Sequence, residues 1–305
     1  MSKIFKNVKK FIPFYVMLLP GCFYLVLNNY LPLYGIIIAF KKFNYSKGIW
    51  RSDWSGLQNF EYLFKTKDAF VITRNTVCYN LVFIVLGTIC AIALSIMLNE
   101  IRSKFSKKIY QTLILIPYLI STVIVSYIVY GFLSTDYGML NHFIISVLGG
   151  EKISWYSKAV YWPFILVLVY LWKSMGYNTV LYYATIIGID PTYYEAAAID
   201  GATRWQRIRH IILPNLQPTI IILTLMSISR IFYSDFGLFY QVPLNNGQLI
   251  SVTNTIDTYV YRGLMESNNL GMSAAAAFYQ SIVGFILVIT ANFIVKRFDK
   301  DSALF

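Results

Sequence analysis

Glu195-Ala196-Ala197-Ala198-Ile199-Asp200-Gly201, followed after nine further residues by Ile211, Leu213 and Pro214, lies between two long apolar segments. Consecutive alanines keep a helix surface thin, so a groove on another protein can approach the backbone closely, and Gly201 permits a turn that a side chain would obstruct. Asp190-Pro191 marks the start of that helix: Asp at the N-cap accepts from free amides, and Pro at the first helical position gives up no useful donor. The stretch therefore reads as a docking element held between membrane spans.

The flanking composition decides the fold class. Of 305 residues, 57% are hydrophobic and 13% charged, more apolar surface than one soluble core can hide. Spanning a bilayer takes about 20 apolar residues in a helix. Residues 11–40, 76–98, 109–133 and 267–295 contain no Asp, Glu, Lys or Arg, and two more runs are interrupted only by Lys173 and by Arg230 with Asp235. The chain is read as all-α and integral to the membrane, one domain over 1–305, with spans at 14–40, 76–98, 109–133, 161–187, 214–240 and 271–295 and a polar loop at 190–213. The first run carries Pro13, Pro20, Gly21, Pro32 and Gly35, where helix bonding weakens. Lys3, Lys6, Lys9 and Lys10 followed by Leu19-Pro20-Gly21-Cys22 suggest a lipoprotein leader, but the apolar run continues past Cys22, and an uncleaved first helix is the better reading.

Basic residues sort by side. Lysines before the first span, Arg102, Lys104, Lys107 and Lys108, Arg204, Arg207 and Arg209, and Lys296, Arg297 and Lys300 share one side, which the positive-inside rule makes cytoplasmic, with both termini there. The segment 41–75 is the exception, with Lys41, Lys42, Lys47, Arg51, Lys65, Lys67 and Arg74 on the opposite side. Its interleaved Trp50, Trp54, Phe60, Tyr62, Phe64 and Phe70 suit a headgroup interface, with an interfacial helix near Gln58 to Lys65, better than a nucleic-acid surface. Three cysteines without C-x-x-C spacing and two separated histidines leave little material for a metal site, and none is expected.

Beyond Gly201, Trp205, Ile208, Ile211 and Ile212 recur at helical spacing opposite Arg204, Arg207 and Arg209, which predicts an amphipathic helix that Pro214 ends or kinks. The joint pattern of Glu195, Ala196, Ala197, Gly201, Ile211, Leu213 and Pro214, with Asp200 inside it, resembles the cytoplasmic coupling loop of permease subunits in binding-protein-dependent ABC importers. Pro32-Leu33-Tyr34-Gly35, Gly56-Leu57-Gln58-Asn59-Phe60, Arg74-Asn75-Thr76, Leu98-Asn99-Glu100, Trp172-Lys173 with Gly176, and Ile256 to Arg262 resemble carbohydrate permeases of the maltose-importer type, particularly the LplB-like oligosaccharide branch. That resemblance implies a six-helix type I importer permease in a bacterial cytoplasmic membrane. It also implies a second homologous permease subunit, two ABC ATPase subunits that dock on the coupling loop, and an extracytoplasmic solute-binding protein. The chain has no G-x-x-x-x-G-K-[ST] loop, so it is expected to bind no cofactor of its own, with ATP-Mg hydrolysed on the partner ATPase.

Charges within a membrane are costly and default to a cavity or to one another. Helical counting places Lys173 and Arg230 near the midplane, with Asp235 farther along the same helix as Arg230 and able to neutralise either cation. An internal charge network and contact with substrate both remain open for these three. Tyr177, Asn178, Tyr182 and Tyr233 offer hydroxyl, amide and flat-face partners for a sugar along the same path. A membrane-embedded enzyme would need convergent acids, a nucleophile with its base or a metal cluster, and no such constellation is seen, whereas an importer for a non-sugar solute would share the coupling loop.

Overall fold

The computed structural model describes residues 2–298, without the side chains of residues 2–10, Leu148 and Phe298. Lys300, counted among the basic residues after the last span, and the side chains of Lys3, Lys6, Lys9 and Lys10 lie outside the described residues. The helices, in chain order, are α1 (Ser2–Leu25), α2 (Gln58–Lys65), α3 (Lys67–Glu100), α4 (Lys104–Leu119), α5 (Thr122–Leu133) and α6 (Met139–Leu148). They continue as α7 (Trp162–Ile187), α8 (Pro191–Ile199), α9 (Arg204–Ser229), α10 (Phe236–Tyr240), α11 (Ile256–Met265) and α12 (Leu270–Phe298). Among the described residues, five helical segments, Phe11–Phe40, Lys67–Glu100, Ala159–Ile187, Arg204–Ser229 and Leu270–Arg297, are long and apolar enough to cross a membrane, and the bent pair α4–α5 brings the number to six when it is counted as one broken span. The all-α, six-span expectation is met, and the chain is a multi-pass membrane protein.

The contacts divide the chain into two compact units, one from the chain up to Thr66 with Val260–Phe278, the other from Lys67–Tyr259 with the chain from Tyr279 onward. In the first unit, α1 runs through a π turn at Val26–Tyr30 into a 3-10 stretch at Leu31–Phe40, around Pro32, whose ring and missing N–H disturb regular bonding. Residues 11–34 are exposed along the whole segment, an apolar surface suited to lipid or another chain. A helix forms at Gln58–Lys65, where the sequence places one. Asn59 Nδ2 donates to the carbonyls of Ala39 (2.9 Å) and Lys41 (3.1 Å), and Phe40, Phe60 and Phe278 meet ring to ring. Lys41 is buried, its Nζ donating to the Ile49 and Trp50 carbonyls at 2.9 Å each beneath the Trp54 ring. This lysine is a structural clamp on its own segment.

In the second unit α3 packs chiefly along α7, with Phe83 stacked on Tyr170 (centroids 3.8 Å apart). Tyr79, Phe83, Val125, Trp162, Leu166 and Phe239 share one core cluster. α4 crosses α7 at Gly176, where an added methyl group would collide with the Ile114 carbonyl, so only glycine permits the approach.

Three expectations are corrected. The third span, 109–133, is not one rod: α4 and α5 meet at 96°, because Pro117 disrupts the last turn of α4 and Ser121 Oγ then caps α5 by accepting from Ile124 N at 3.4 Å. The fifth span, 214–240, ends at Ser229, and Arg230 and Asp235 do not lie on one helix. Arg230 closes α9, whereas Asp235 starts α10 by accepting from Leu238 N at 3.1 Å. Pro214 does not end its helix, which runs on to Ser229: a π turn at Ile208–Ile212 widens the preceding backbone and relieves the clash that a proline ring makes four residues back.

Candidate functional site

The loop between α7 and α9 is built almost wholly from local signals. Asp190 Oδ1 accepts from Thr192 N at 2.9 Å and Pro191 opens α8. The Thr192 amide and hydroxyl hold the Asp190 carboxyl below the usual carboxylate range. At the other end Gly201 N donates to Ala198 O (3.2 Å) and Ala202 N to Ala197 O (2.9 Å), with Gly201 at φ +69°, the paired bonds of a Schellman stop. Thr203 and Gln206 then form a reciprocal capping box that starts α9.

Tyr194 fastens the loop to the bundle. Its ring packs on the core cluster of Ala91, Tyr182, Ile186, Ile212 and Leu216, and burial pushes its phenol up, with the Glu100 carboxylate adding to the effect. Glu100, the last residue of α3, also approaches Arg204 at 3.8 Å. The remaining face of α8 stays open: Glu195, Ala196, Ala198 and Asp200 are exposed, and Ile199 is 87% exposed, an apolar side chain standing in solvent. Ala197, Asp200, Gly201, Arg207 and Ile211 line a shallow cavity of about 340 Å³ beside this ridge. Leu213 is half-buried and Pro214 exposed. Tyr194 and the Thr203–Gln206 box are parts of this site that the sequence alone did not single out, although T-x-x-Q ahead of an apolar run signals the box.

A second site lies halfway along α3 and α7. A polar cavity of about 180 Å³ is lined by Asn80 and Thr88 of α3, Tyr170 and Asn178 of α7, and Arg230 and Tyr233 of the break after α9. That break is stitched from afar: Asn80 Nδ2 donates to the carbonyls of Ile231 (2.8 Å) and Tyr233 (3.0 Å), and Gln280 Nε2 to that of Phe232 (2.7 Å). Asp257 Oδ2 accepts from both the backbone N and the hydroxyl of Ser234 at 2.7 Å. Irregular backbone at membrane depth survives only where its polar groups find such partners.

The seven residues expected along a substrate path therefore separate. Asn178, Arg230 and Tyr233 come together on the cavity. Lys173 instead donates to Thr122 Oγ1 at 2.7 Å, in the first turn of α5, and Asp235 caps α10. Among the described residues no ion pair joins Lys173, Arg230 and Asp235, so the internal charge network is absent. Tyr182 is 2% exposed and sits in the core cluster against which Tyr194 packs, and Tyr177 stacks on Tyr118 (4.9 Å) away from the cavity.

A family model described as "Binding-protein-dependent transport system inner membrane component" matches residues 84–300. Among curated proteins the chain is 35% identical over 288 residues to Protein LplB of Bacillus subtilis (strain 168), covering 94% of this chain and 90% of the relative. It is 34% identical over 288 residues to the polygalacturonan/rhamnogalacturonan transport system permease protein YteP of the same organism, covering 94% of this chain and 89% of the relative. Among solved structures, a chain of a bacterial alginate ABC transporter in complex with an alginate pentasaccharide-bound periplasmic protein superposes with a TM-score of 0.88 at 29% identity, over 98% of this chain and 99% of that one.

Proposed function

The chain belongs to the inner membrane components of binding-protein-dependent transport systems, and from that premise we propose that it is the transmembrane permease subunit of an ABC importer for an oligosaccharide. Its work is conformational: the bundle carries solute across the bilayer and forms no covalent intermediate with it. The cargo reading rests on a relative named for polygalacturonan/rhamnogalacturonan transport and on the whole-length likeness to an alginate transporter chain.

The observation that carries the mechanism is the open ridge of α8, fastened on one side by Tyr194 and turned sharply at Gly201, with Ile199 left uncovered. An apolar, alanine-thin ridge of this kind fits a groove on a partner, and we assign that groove to an ABC ATPase subunit, with Glu195, Ala196, Ala197, Asp200, Gly201, Ile211, Leu213 and Pro214 as the docking segment. ATP-Mg then belongs on two such ATPases, since this sequence holds no P-loop. A second, homologous permease completes the pathway, and an extracytoplasmic binding protein delivers the sugar, by analogy with the pentasaccharide-bound periplasmic protein held in the alginate transporter complex. Both termini and α8 face the cytoplasm in this arrangement, in line with the basic residues flanking them. ATP binding draws the ATPases together, the paired coupling helices follow as rigid bodies, and the bundle passes from inward-open to outward-open.

The test is reconstitution of the chain with its partner permease, ATPases and binding protein in vesicles. Sugar-loaded binding protein is expected to stimulate ATP hydrolysis and sugar entry together; hydrolysis and uptake that ignore the binding protein would overturn the assignment.

A further inference from the structure

The mid-bundle cavity has an electrostatic character that its chemistry makes legible. Arg230 supplies its single formal charge, and among the described residues no carboxylate lines it. The two nearest acidic residues in sequence or in the stitching of the break are otherwise engaged: Asp235 Oδ1 accepts from Leu238 N, and Asp257 accepts from Ser234 and from Gln280 Nε2 (3.1 Å). Three lining side chains, the Arg230 guanidinium, the Asn178 amide and the Tyr233 hydroxyl, have no hydrogen-bond partner among the described residues. All three can donate, and two residues of the break are held in place by Asn80 through the backbone carbonyls of Ile231 and Tyr233, so the guanidinium sits on a fixed support.

Arg230 and Tyr233 are exposed where they line the cavity, so a solute can reach them, and a charge at membrane depth defaults to a solute pathway or to a pairing partner. We infer that this cavity is an anion subsite on the translocation path, in which Arg230 takes the carboxylate of one uronic-acid unit of the cargo while Asn178 and Tyr233 hold neighbouring hydroxyls. The inference rests on the permease reading and narrows its cargo to an acidic oligosaccharide. The cavity, about 180 Å³, has room for a single sugar unit. Phe83 and Tyr170, stacked on each other, make the apolar part of the lining. Arginine is the fitting residue because its planar fork meets both carboxylate oxygens, which an ammonium group does not do.

The experiment uses the full complex in nanodiscs without binding protein, so that only the permease selects. Binding of trigalacturonate, its methyl ester and glucose 6-phosphate is measured by titration. The wild-type complex is expected to favour the acid over its ester about ten- to a hundredfold, the range of a charge-assisted contact. Arg230→Gln is expected to bring the two within about twofold, and Arg230→Lys, which keeps the charge and loses the fork, to fall between. Should Arg230→Gln fail to assemble, the Lys variant decides. An equal affinity for acid and ester in the wild type, a preference that survives at either variant unchanged, or a stronger preference for the sugar phosphate would overturn the inference. Stimulation of ATP hydrolysis by sugar-loaded binding protein, measured on the same wild-type complex, separates the two levels. Its presence with no acid preference rejects only the subsite, and its absence rejects the permease reading itself.

Discussion

Asn80 on α3 holds Ile231 in the break after α9: its side-chain amide donates to the Ile231 carbonyl at 2.8 Å, across 151 positions of sequence. The same nitrogen serves the Thr76 and Tyr233 carbonyls at 2.9 and 3.0 Å, so one polar side chain in an apolar helix keeps an irregular segment satisfied inside the bundle.

Asn80→Leu leaves those carbonyls without their donor where water is scarce, a loss of about 1–3 kcal/mol. We expect a lower midpoint of thermal unfolding in detergent and weaker binding of sugar, because Arg230 and Tyr233 ride on the same segment. An unchanged midpoint would show that the break holds itself.

Gly176→Ala places a methyl group against the Ile114 carbonyl, at a crossing of α4 and α7 with no room for one. Overpacking of this kind costs about 1–3 kcal/mol. Gly131→Ala on α5 meets nothing within 4 Å and serves as the control. Equal thermal stability of the two variants would contradict the close crossing.

Asp190 ties the first turn of α8 to a carboxylate. Its pKa is depressed in the fold, chiefly by the bond from the Thr192 amide, so its contribution is complete above the ordinary Asp value of about 4 and is lost as pH falls through the lower, folded value. Amide exchange at Thr192 and Tyr193, corrected for intrinsic rates, should be flat from pH 8 to 5 and loosen only in stronger acid. Asp190→Asn keeps a cap that does not titrate and should remove that acid step; a step that persists in the variant would place its origin elsewhere.

How much of this was legible depended on where each structural cause lies in the chain. The limits of α7 and α12, the helix α2, the Asp190–Pro191 start and the Gly201 turn all follow from residues inside the elements they shape, and the structure places them where the sequence puts them. The bend at Ile120 left a local trace in Pro117 and Ser121 that apolar length concealed. The break after Ser229 left none of the usual signs, having no Pro or Gly between Arg230 and Asp235. Its causes are Asn80, Asp257 and Gln280, distant in sequence, and Arg230 and Asp235 looked like charges on a continuous helix. For the same reason Lys173 and Tyr182 could not be told apart from Asn178, Arg230 and Tyr233, which line one cavity, until Thr122 and the Ile186–Ile212 cluster were in place.

The central claim is that α8 transmits the work of a partner ATPase. Glu195→Lys reverses an exposed charge on its ridge, and Gly201→Asp forces a side chain into the left-handed turn at φ +69° that ends it. The measurement is sugar entry per ATP hydrolysed in vesicles carrying the complete complex with loaded binding protein. The account predicts that both variants insert and assemble at wild-type levels of membrane protein but lose most of their coupled uptake; uptake per ATP equal to wild type in both would contradict it.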